Sequence, residues 1–313
     1  MNTVTAPLFT PASDWSGRDD GPGPEHARWH SVVDTQAAPR EGAVHLIGFA
    51  SDEGVERNGG RQGAAQGPAA LRAALGSLAI HDEQLRIDAG TVTTQHDDLE
   101  GAQRELSDRV RDLVAAQGAS GMTVVLGGGH ETSFASHRGA YEALGPLQVI
   151  NFDAHFDLRA ADRPTSGTPF KQIAELEGEH FDYSVFGISK PNNTKVLFDT
   201  AAELGVTIVL DTELAEMTVR EAAERALAAV DGDLPIHLSI DLDVLPAAVA
   251  PGVSAPAGFG VAYAALRAMV EAVASTGRVA LLDVVELNPD FDVDNRTAKA
   301  AARLIDDAVA GAR

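Results

Sequence analysis

The sequence predicts an α/β protein built on a mainly parallel sheet of about eight strands, and three observations predict it. From residue 41 onward, short apolar runs alternate with stretches of helical periodicity, the pattern of β-α repetition. Three of those runs end directly in acidic and histidine residues, as expected where strand ends line a ligand crevice. No linker or composition break interrupts the alternation. Residues 41–313 therefore read as one domain, preceded by an irregular arm over 1–40 that is rich in Pro, Gly and Asp.

Taken in order, the arm carries Trp15 and Trp29, either of which could pin it to the body by burying an indole. Ala43 to Phe49 predicts the first strand, and Ser51 to Arg61 a charged loop at its carboxyl end. Pro68 opens a helix over Ala69 to Leu75, where its missing N–H costs nothing. Asp97 to Gln117 predicts a helix with Leu99, Leu106, Val110 and Val114 as its buried stripe. Strands follow at Thr123–Leu126 and Leu147–Ile150, with a helix through Leu144 between them. Further strands at Tyr183–Ile188, Val206–Leu210, Ile236–Ile240 and Val279–Val285 alternate with helices near 194–204, 219–230, 261–274 and 296–310.

Composition narrows the function classes. Across 313 residues the formal charge is −22, and the pI is about 4.7. Nucleic acid and anionic membrane surfaces are poor partners for such a chain, since phosphate binding depends on clustered Lys and Arg. An anionic substrate would need a locally basic pocket. Cysteine is absent, which excludes disulfides, thiolate ligands and a Cys nucleophile together. Met1 to Asp20 has neither the basic start nor the apolar core of a leader, and no apolar stretch has spanning length. The expectation is a cytoplasmic protein.

The chemistry concentrates at three strand ends. Asp153, His155 and Asp157 follow the Leu147–Ile150 run, and alternation places them on one face if the extended geometry persists to Asp157. His130 closes Gly127-Gly128-Gly129-His130-Glu131 just past another strand, and Asp241 and Asp243 sit two apart at the end of a third. Carboxylates and imidazoles without thiolate suit Mn, Fe or Zn. Four crowded carboxylates call for two divalent ions, and such a pair can share carboxylates and turn a bridging water into a nucleophile. Metal-assisted hydrolysis is the implied reaction class. Strand-end side chains that merely cap the next turn are the plain structural alternative. The glycine run lacks the Lys-Ser/Thr ending of a P-loop. A calcineurin-like phosphoesterase would place Asp-x-His first and close with late histidines, whereas His237 here reads as a core residue.

The ordered set Gly128-Gly129-His130-Glu131, Asp153-Ala154-His155-Phe156-Asp157, Ser239-Ile240-Asp241-Leu242-Asp243 and Glu286-Leu287-Asn288-Pro289 resembles the ureohydrolase family of arginases, agmatinases and formimidoylglutamases. The resemblance runs from about Gly48 to Ala308. It implies a three-layer α/β/α sandwich around an eight-stranded sheet and two Mn2+ per chain. By position, His130, Asp153, Asp157 and Asp241 would hold one ion, and Asp153, His155, Asp241 and Asp243 the other. Glu286 would bind a cationic amidine or guanidine; the structural alternative is an ion pair with Arg296. Homo-oligomeric assembly is part of the same expectation.

Departures from the family pattern point to the branch. Where arginases carry a histidine as proposed proton shuttle, this chain has Phe170, which leaves Asp157 or bulk water to carry the proton. Where they carry a substrate-facing asparagine, it has Arg159, able to clamp a carboxylate, unless it pairs with Asp162 instead. Asp157-Leu158-Arg159, Ser166-Gly167-Thr168-Pro169-Phe170 and Gly187-Ile188-Ser189-Lys190 are most similar to the formimidoylglutamase branch. The resemblance thus implies hydrolysis of N-formimidoyl-L-glutamate to L-glutamate and formamide in histidine degradation, with Asp157 and Glu286 catalytic and Arg159, Glu286 and Lys190 facing substrate. Lys190 and Arg57 are the candidates for the second substrate carboxylate. A guanidinobutyrase-like amidinohydrolase and a non-catalytic metal-binding protein are the alternatives.

Overall fold

The structure, a computed structural model, describes residues 8–312; the first seven residues of the expected arm lie outside the described residues. In chain order the elements are β1 (Phe9–Thr10), α1 (Trp29–Val32), β2 (Val33–Asp34), β3 (Val44–Ala50), α2 (Glu53–Arg57), α3 (Gly67–Gly76), β4 (Arg86–Thr93), α4 (Leu99–Gln117), β5 (Met122–Leu126), α5 (Thr132–Leu144), β6 (Gln148–Phe152), α6 (Pro169–Glu177), β7 (Asp182–Ile188), α7 (Lys195–Glu203), β8 (Thr207–Leu210), α8 (Asp211–Glu216), α9 (Val219–Leu227), β9 (Ile236–Asp241), α10 (Tyr263–Ala274), β10 (Val279–Val285) and α11 (Arg296–Gly311). No helix among them is long and apolar enough to cross a membrane.

The sheet has ten strands in the order β1-β4-β3-β5-β10-β9-β6-β7-β8, with β2 also on β4. Every pairing is parallel except β1 with β4. The seven strands placed from the sequence correspond to β3 and β5–β10, β4 makes the eighth, and the other two are two-residue additions from the arm. Burial on both faces explains the near-continuous apolar runs. Val44 and Leu46 of β3 pack into one core with α3, α10 and α11, while Ile47 and Phe49 pack into the core under α4. In β5, Val124 and Val125 divide the same way, which is the period-2 signature of a strand between two helix layers.

Strand β4 escaped the sequence reading because it buries charge. Asp88 is paired with Arg72 of α3 (Nε–Oδ2 2.7 Å) and accepts Trp15 Nε1 at 2.8 Å. Arg86 is held by Asp82 and lies over the Trp29 ring. Both tryptophans pin the arm: their rings stack 6.4 Å apart, and Trp29 Nε1 donates to Asp306 on α11 at 2.8 Å. The loop expected over 51–61 contains the short helix α2, and the sequence reading places neither α6 nor α8, although α6 shows Phe170, Ile173 and Ala174 at helical spacing on its buried face.

A buried polar chain ties α5 and α6 to the centre of the sheet. Asp283 Oδ2 accepts from Ser136 Oγ at 2.7 Å and meets His237 Nε2 at 2.8 Å. His237 Nδ1 meets His137 Nδ1 at 3.1 Å, and His137 Nε2 meets Glu177 Oε1 at 3.1 Å. Each ring turns its Nε2 toward a carboxylate and so can donate there, and burial pulls the His137 ring below the usual imidazole range. Burial would push the Asp283 carboxyl up, but the His237 ring outweighs it and brings it down to about 2. Replacing Asp283 by Ala should therefore cost about 3–5 kcal/mol at neutral pH, the usual consequence of stripping one partner from a buried pair. Because this carboxyl is depressed, its contribution is complete above the unfolded value near ~3.9 and vanishes as pH falls through about 2. Urea unfolding of wild type and Asp283→Ala at about pH 7 and about pH 3 checks both; a gap that does not narrow in acid contradicts the assignment.

Candidate metal centre

The central four strands, β5, β10, β9 and β6, carry the candidate residues at their carboxyl ends. After β5 the backbone of Gly127–Gly129 passes so close to the end of β3 that a Cβ on Gly128 would lie 1.9 Å from Ser51 O. Only glycine fits there, and the turn delivers His130 to the crevice. After β6 the extended geometry does not persist to Asp157, contrary to the alternation argument. The strand ends at Phe152, Asp153 Oδ1 accepts His155 N at 2.7 Å, and Asp157 adopts a left-handed φ of 47°. The three side chains still converge, through a tight turn. At the end of β9, Asp241 Oδ1 accepts Asp243 N at 2.8 Å and caps the turn that presents both carboxylates.

The six residues form two clusters that share Asp153. His130 Nδ1 lies 3.2 Å from Asp153 Oδ2, 3.0 Å from Asp157 Oδ2 and 3.0 Å from Asp241 Oδ2. His155 Nδ1 lies 3.1 Å from Asp243 Oδ2 and 3.6 Å from Asp153 Oδ1. One ligand atom from each residue brings His130, Asp153, Asp157 and Asp241 together in one group and Asp153, His155 and Asp243 in the other; Asp241 groups with the first alone. Burial, then the neighbouring carboxylates, push the Asp241 and Asp157 carboxyls up. His130 is raised well above the usual imidazole range by Asp153, Asp157 and Asp241, against its own burial. His130 Nδ1 and Asp243 Oδ1 are buried without a hydrogen-bond partner. One ring nitrogen cannot satisfy three carboxylates, so the donor set fits cations, and its all-oxygen-and-nitrogen character suits a metal such as Mn, Fe or Zn.

A cavity of about 200 Å³ opens onto this cluster, and Glu286 and Arg159 line it together with His155, Asp157, Asp241 and Asp243, whereas His130 and Asp153 are not among its lining residues. Glu286, at the end of β10, has a left-handed φ of 67°, and its Oε1 accepts His130 N at 2.9 Å. Burial, with Glu131 and Asp243 nearby, pushes its carboxyl up to about 8. A cation beside it would restore the charged form. The ion pair with Arg296 does not form, since Arg296 donates to Ala248 O. Arg159 is exposed, and its guanidinium has no hydrogen bond or ion pair among the described residues, so the pairing with Asp162 is not formed either. It is the one Lys or Arg among the cavity residues.

Lys190 is exposed at the turn after β7 and does not line the cavity. Arg57 is occupied by Glu53 and Glu100 and by the carbonyls of Pro164 and Asp97. Phe170 is fully buried, edge-on to His130 (centroids 5.2 Å apart) and stacked on Tyr183, so it supports a ligand ring rather than facing the cavity. Asn58, Gly59 and Gly60 line the cavity, as a loop over Ser51–Arg61 at a strand's carboxyl end can, whereas the sequence reading gave no role to Ser254, which also lines it. Ser166, another cavity residue, belongs to the Ser-Gly motif already noted.

Residues 42–311 match the arginase family pattern. A formimidoylglutamase of Corynebacterium efficiens is 51% identical over 295 residues, covering 93% of this chain and 92% of the relative. One from Nocardia farcinica is 49% identical and covers 94% of this chain and 95% of the relative. Among solved structures, a Trypanosoma cruzi formiminoglutamase with Mn2+ superposes with a TM-score of 0.76 at 28% identity, covering 86% of this chain and 92% of that one. Fold, metal-ligand order and sequence agree, and the chain belongs to the arginase family.

Proposed function

We propose that the chain is a dinuclear manganese hydrolase that cleaves N-formimidoyl-L-glutamate to L-glutamate and formamide, the terminal step of one branch of histidine degradation. The observation that carries the reading is one cavity lined by His155, Asp157, Asp241 and Asp243 from the two ligand clusters, a buried Glu286 and the unpaired cation Arg159. The formimidoylglutamases at about half identity over nearly the whole chain support the substrate. Residues 41–313 act as the single catalytic unit, and no cavity residue comes from the arm. A cytoplasmic homo-oligomer follows from the family resemblance.

In this reading His130, Asp153, Asp157 and Asp241 hold one Mn2+, and Asp153, His155, Asp241 and Asp243 the other. When bound, the pair neutralises the carboxylates and lowers the pKa of a water, making it a nucleophile. Glu286 binds the cationic amidine, whose charge draws the proton from a carboxyl that burial holds at about 8. Arg159 grips a substrate carboxylate and fixes which end of the molecule faces the clusters. Water adds to the formimidoyl carbon, the C–N bond to the glutamate nitrogen breaks, and that nitrogen takes up a proton. Asp157 lines the cavity and carries this proton, because Phe170 is buried and has none to give.

Three outcomes are expected. Protein reconstituted with manganese should hold about two ions per chain, lose activity on exhaustive chelation, and lose it in Asp241→Ala; activity that survives chelation rules out the metal mechanism. NMR of a single turnover should give glutamate and formamide, and ammonia with formylglutamate would reassign the leaving group. In a panel of N-formimidoylglutamate, arginine, agmatine and guanidinobutyrate, the first should react fastest. Arg159→Met should then raise its KM on the order of 10–100-fold, the loss of about 1.5–3 kcal/mol for a charged hydrogen bond, with metal content unchanged. An equal loss toward a carboxylate-free amidine would move Arg159 from the substrate to the metal site.

A further inference from the structure

Two walls of the cavity depend on one buried carboxylate that the reaction does not use. Glu131 follows the ligand residue His130, has no exposed surface, and does not line the cavity. Its Oε1 accepts from Ser51 Oγ at 2.8 Å and from Gly54 N at 3.1 Å. Gly54 lies in the first turn of α2, where backbone N–H groups have no partner within the helix. Asp52, the residue before that helix, makes no side-chain cap; its carboxylate accepts Gly63 N instead. Glu131 therefore supplies from across the fold the acceptor that a local cap would supply.

The contact extends beyond α2. Gly54 O accepts from Asn58 N and from Ser166 N, each at 3.0 Å, and Gly167 O accepts from Arg159 N at 3.0 Å. Asn58 Nδ2 donates to Ser166 Oγ at 3.2 Å, joining the two walls a second time. A continuous path thus runs from Glu131 through Gly54 and the Ser166–Gly167 turn to Arg159. Its first link cannot swing away. A Cβ on Gly54 would lie 2.5 Å from Glu131 Cδ, and one on Gly129 would lie 2.2 Å from Oε2, so the carboxylate is wedged between two glycines. Gln103 Nε2 also holds the Glu131 backbone carbonyl at 2.9 Å.

We propose that Glu131 is a positioning residue: its carboxylate holds the α2 loop, and through Gly54 the Ser166–Gly167 turn, so that Arg159 meets the carboxylate end of the substrate. Glu131 neither binds metal nor touches substrate. The inference rests on the reading of Arg159 as the carboxylate clamp. Loss of the acceptor frees the wall and leaves the metal ligands in place, so the effect falls on binding the carboxylate end and spares the chemical step.

Kinetics and amide exchange on the manganese-loaded protein test this. Glu131→Ala should raise KM for N-formimidoylglutamate about tenfold, change kcat less than about threefold and keep the metal content of wild type. Toward formamidine, which has no carboxylate, kcat/KM should not fall, since losing the Glu131 charge only eases ionisation of the neighbouring Glu286. Glu131→Gln keeps both acceptor bonds and should restore the low KM. Gly54→Ala, whose new methyl displaces the same carboxylate, should reproduce the Ala phenotype, which keeps the test open if Glu131→Ala folds poorly. Independently of any substrate, the amides of Gly54 and Ser166 should exchange faster in Glu131→Ala while those of β6 stay protected. Loss of metal, an equal loss toward formamidine, or unchanged exchange at Gly54 and Ser166 each overturns the proposal. A wild type that ignores N-formimidoylglutamate while the exchange result holds would sink the substrate assignment and leave the positioning role intact.

Discussion

Four carboxylates are buried together at the centre of this protein, and the rest of the structure is arranged around the cost of keeping them there. Asp153, Asp157, Asp241 and Asp243 face two imidazoles, and Asp243 Oδ1 and His130 Nδ1 are buried without a hydrogen-bond partner. Burial alone would favour the neutral acids, and crowding raises Asp241 and Asp157 further. A cation pair reverses that preference, since it favours the charged form of every carboxylate it touches. The same argument covers Glu286. It is held at the edge of the cluster by the His130 backbone, and with its carboxyl raised it is ready to be ionised by a positive ligand.

Topology makes the concentration possible. The chain lays down β3, β4 and β5 on one side and β6, β7 and β8 on the other, then returns to place β9 and β10 between β5 and β6. The switch in strand order puts four adjacent carboxyl ends under one crevice, with residues more than a hundred positions apart in van der Waals range. Behind the ligands, the fold holds them with neutral and paired groups. His130 Nε2 meets Ser239 Oγ at 3.1 Å, Phe170 packs edge-on to the same ring, and the Asp283–His237–His137–Glu177 chain joins two buried carboxylates through two rings. Such outer partners fix the ring orientation a metal ligand needs.

The cavity walls are built differently from its floor. The floor hangs on strand ends, whereas the walls at Asn58 to Gly60 and at Ser166 are loop segments latched to one another by backbone hydrogen bonds and to the sheet by Glu131. Rigid floor and latched walls divide the labour between chemistry and recognition, and Arg159 stands at the wall with its guanidinium uncommitted. In a chain of charge −22, that cation is what, in the proposed reading, would draw an anionic end group into the cavity.

By itself the sequence determined the elements whose signal is local. The strands β3, β5, β6, β7, β9 and β10 are mostly apolar because both faces are covered, so composition and length identify them despite single polar residues such as His45, His237 and Asp283. The six candidate ligands stand out in the sequence because each lies at or shortly past the end of such an apolar run, and Glu286 because it follows the last one. Tertiary structure decided whatever depended on a distant partner. Strand β4 is a strand because Arg72, Trp15, Asp82 and Trp29 satisfy its buried Asp88 and Arg86, and nothing within Arg86–Thr93 announces them. Only the fold placed Lys190 away from the cavity, engaged Arg57 elsewhere and buried Phe170 beneath a ligand ring. Ser254 and Glu131 likewise took their places by packing between loops, since a hydrogen bond across 77 residues leaves no mark on the neighbours of either end.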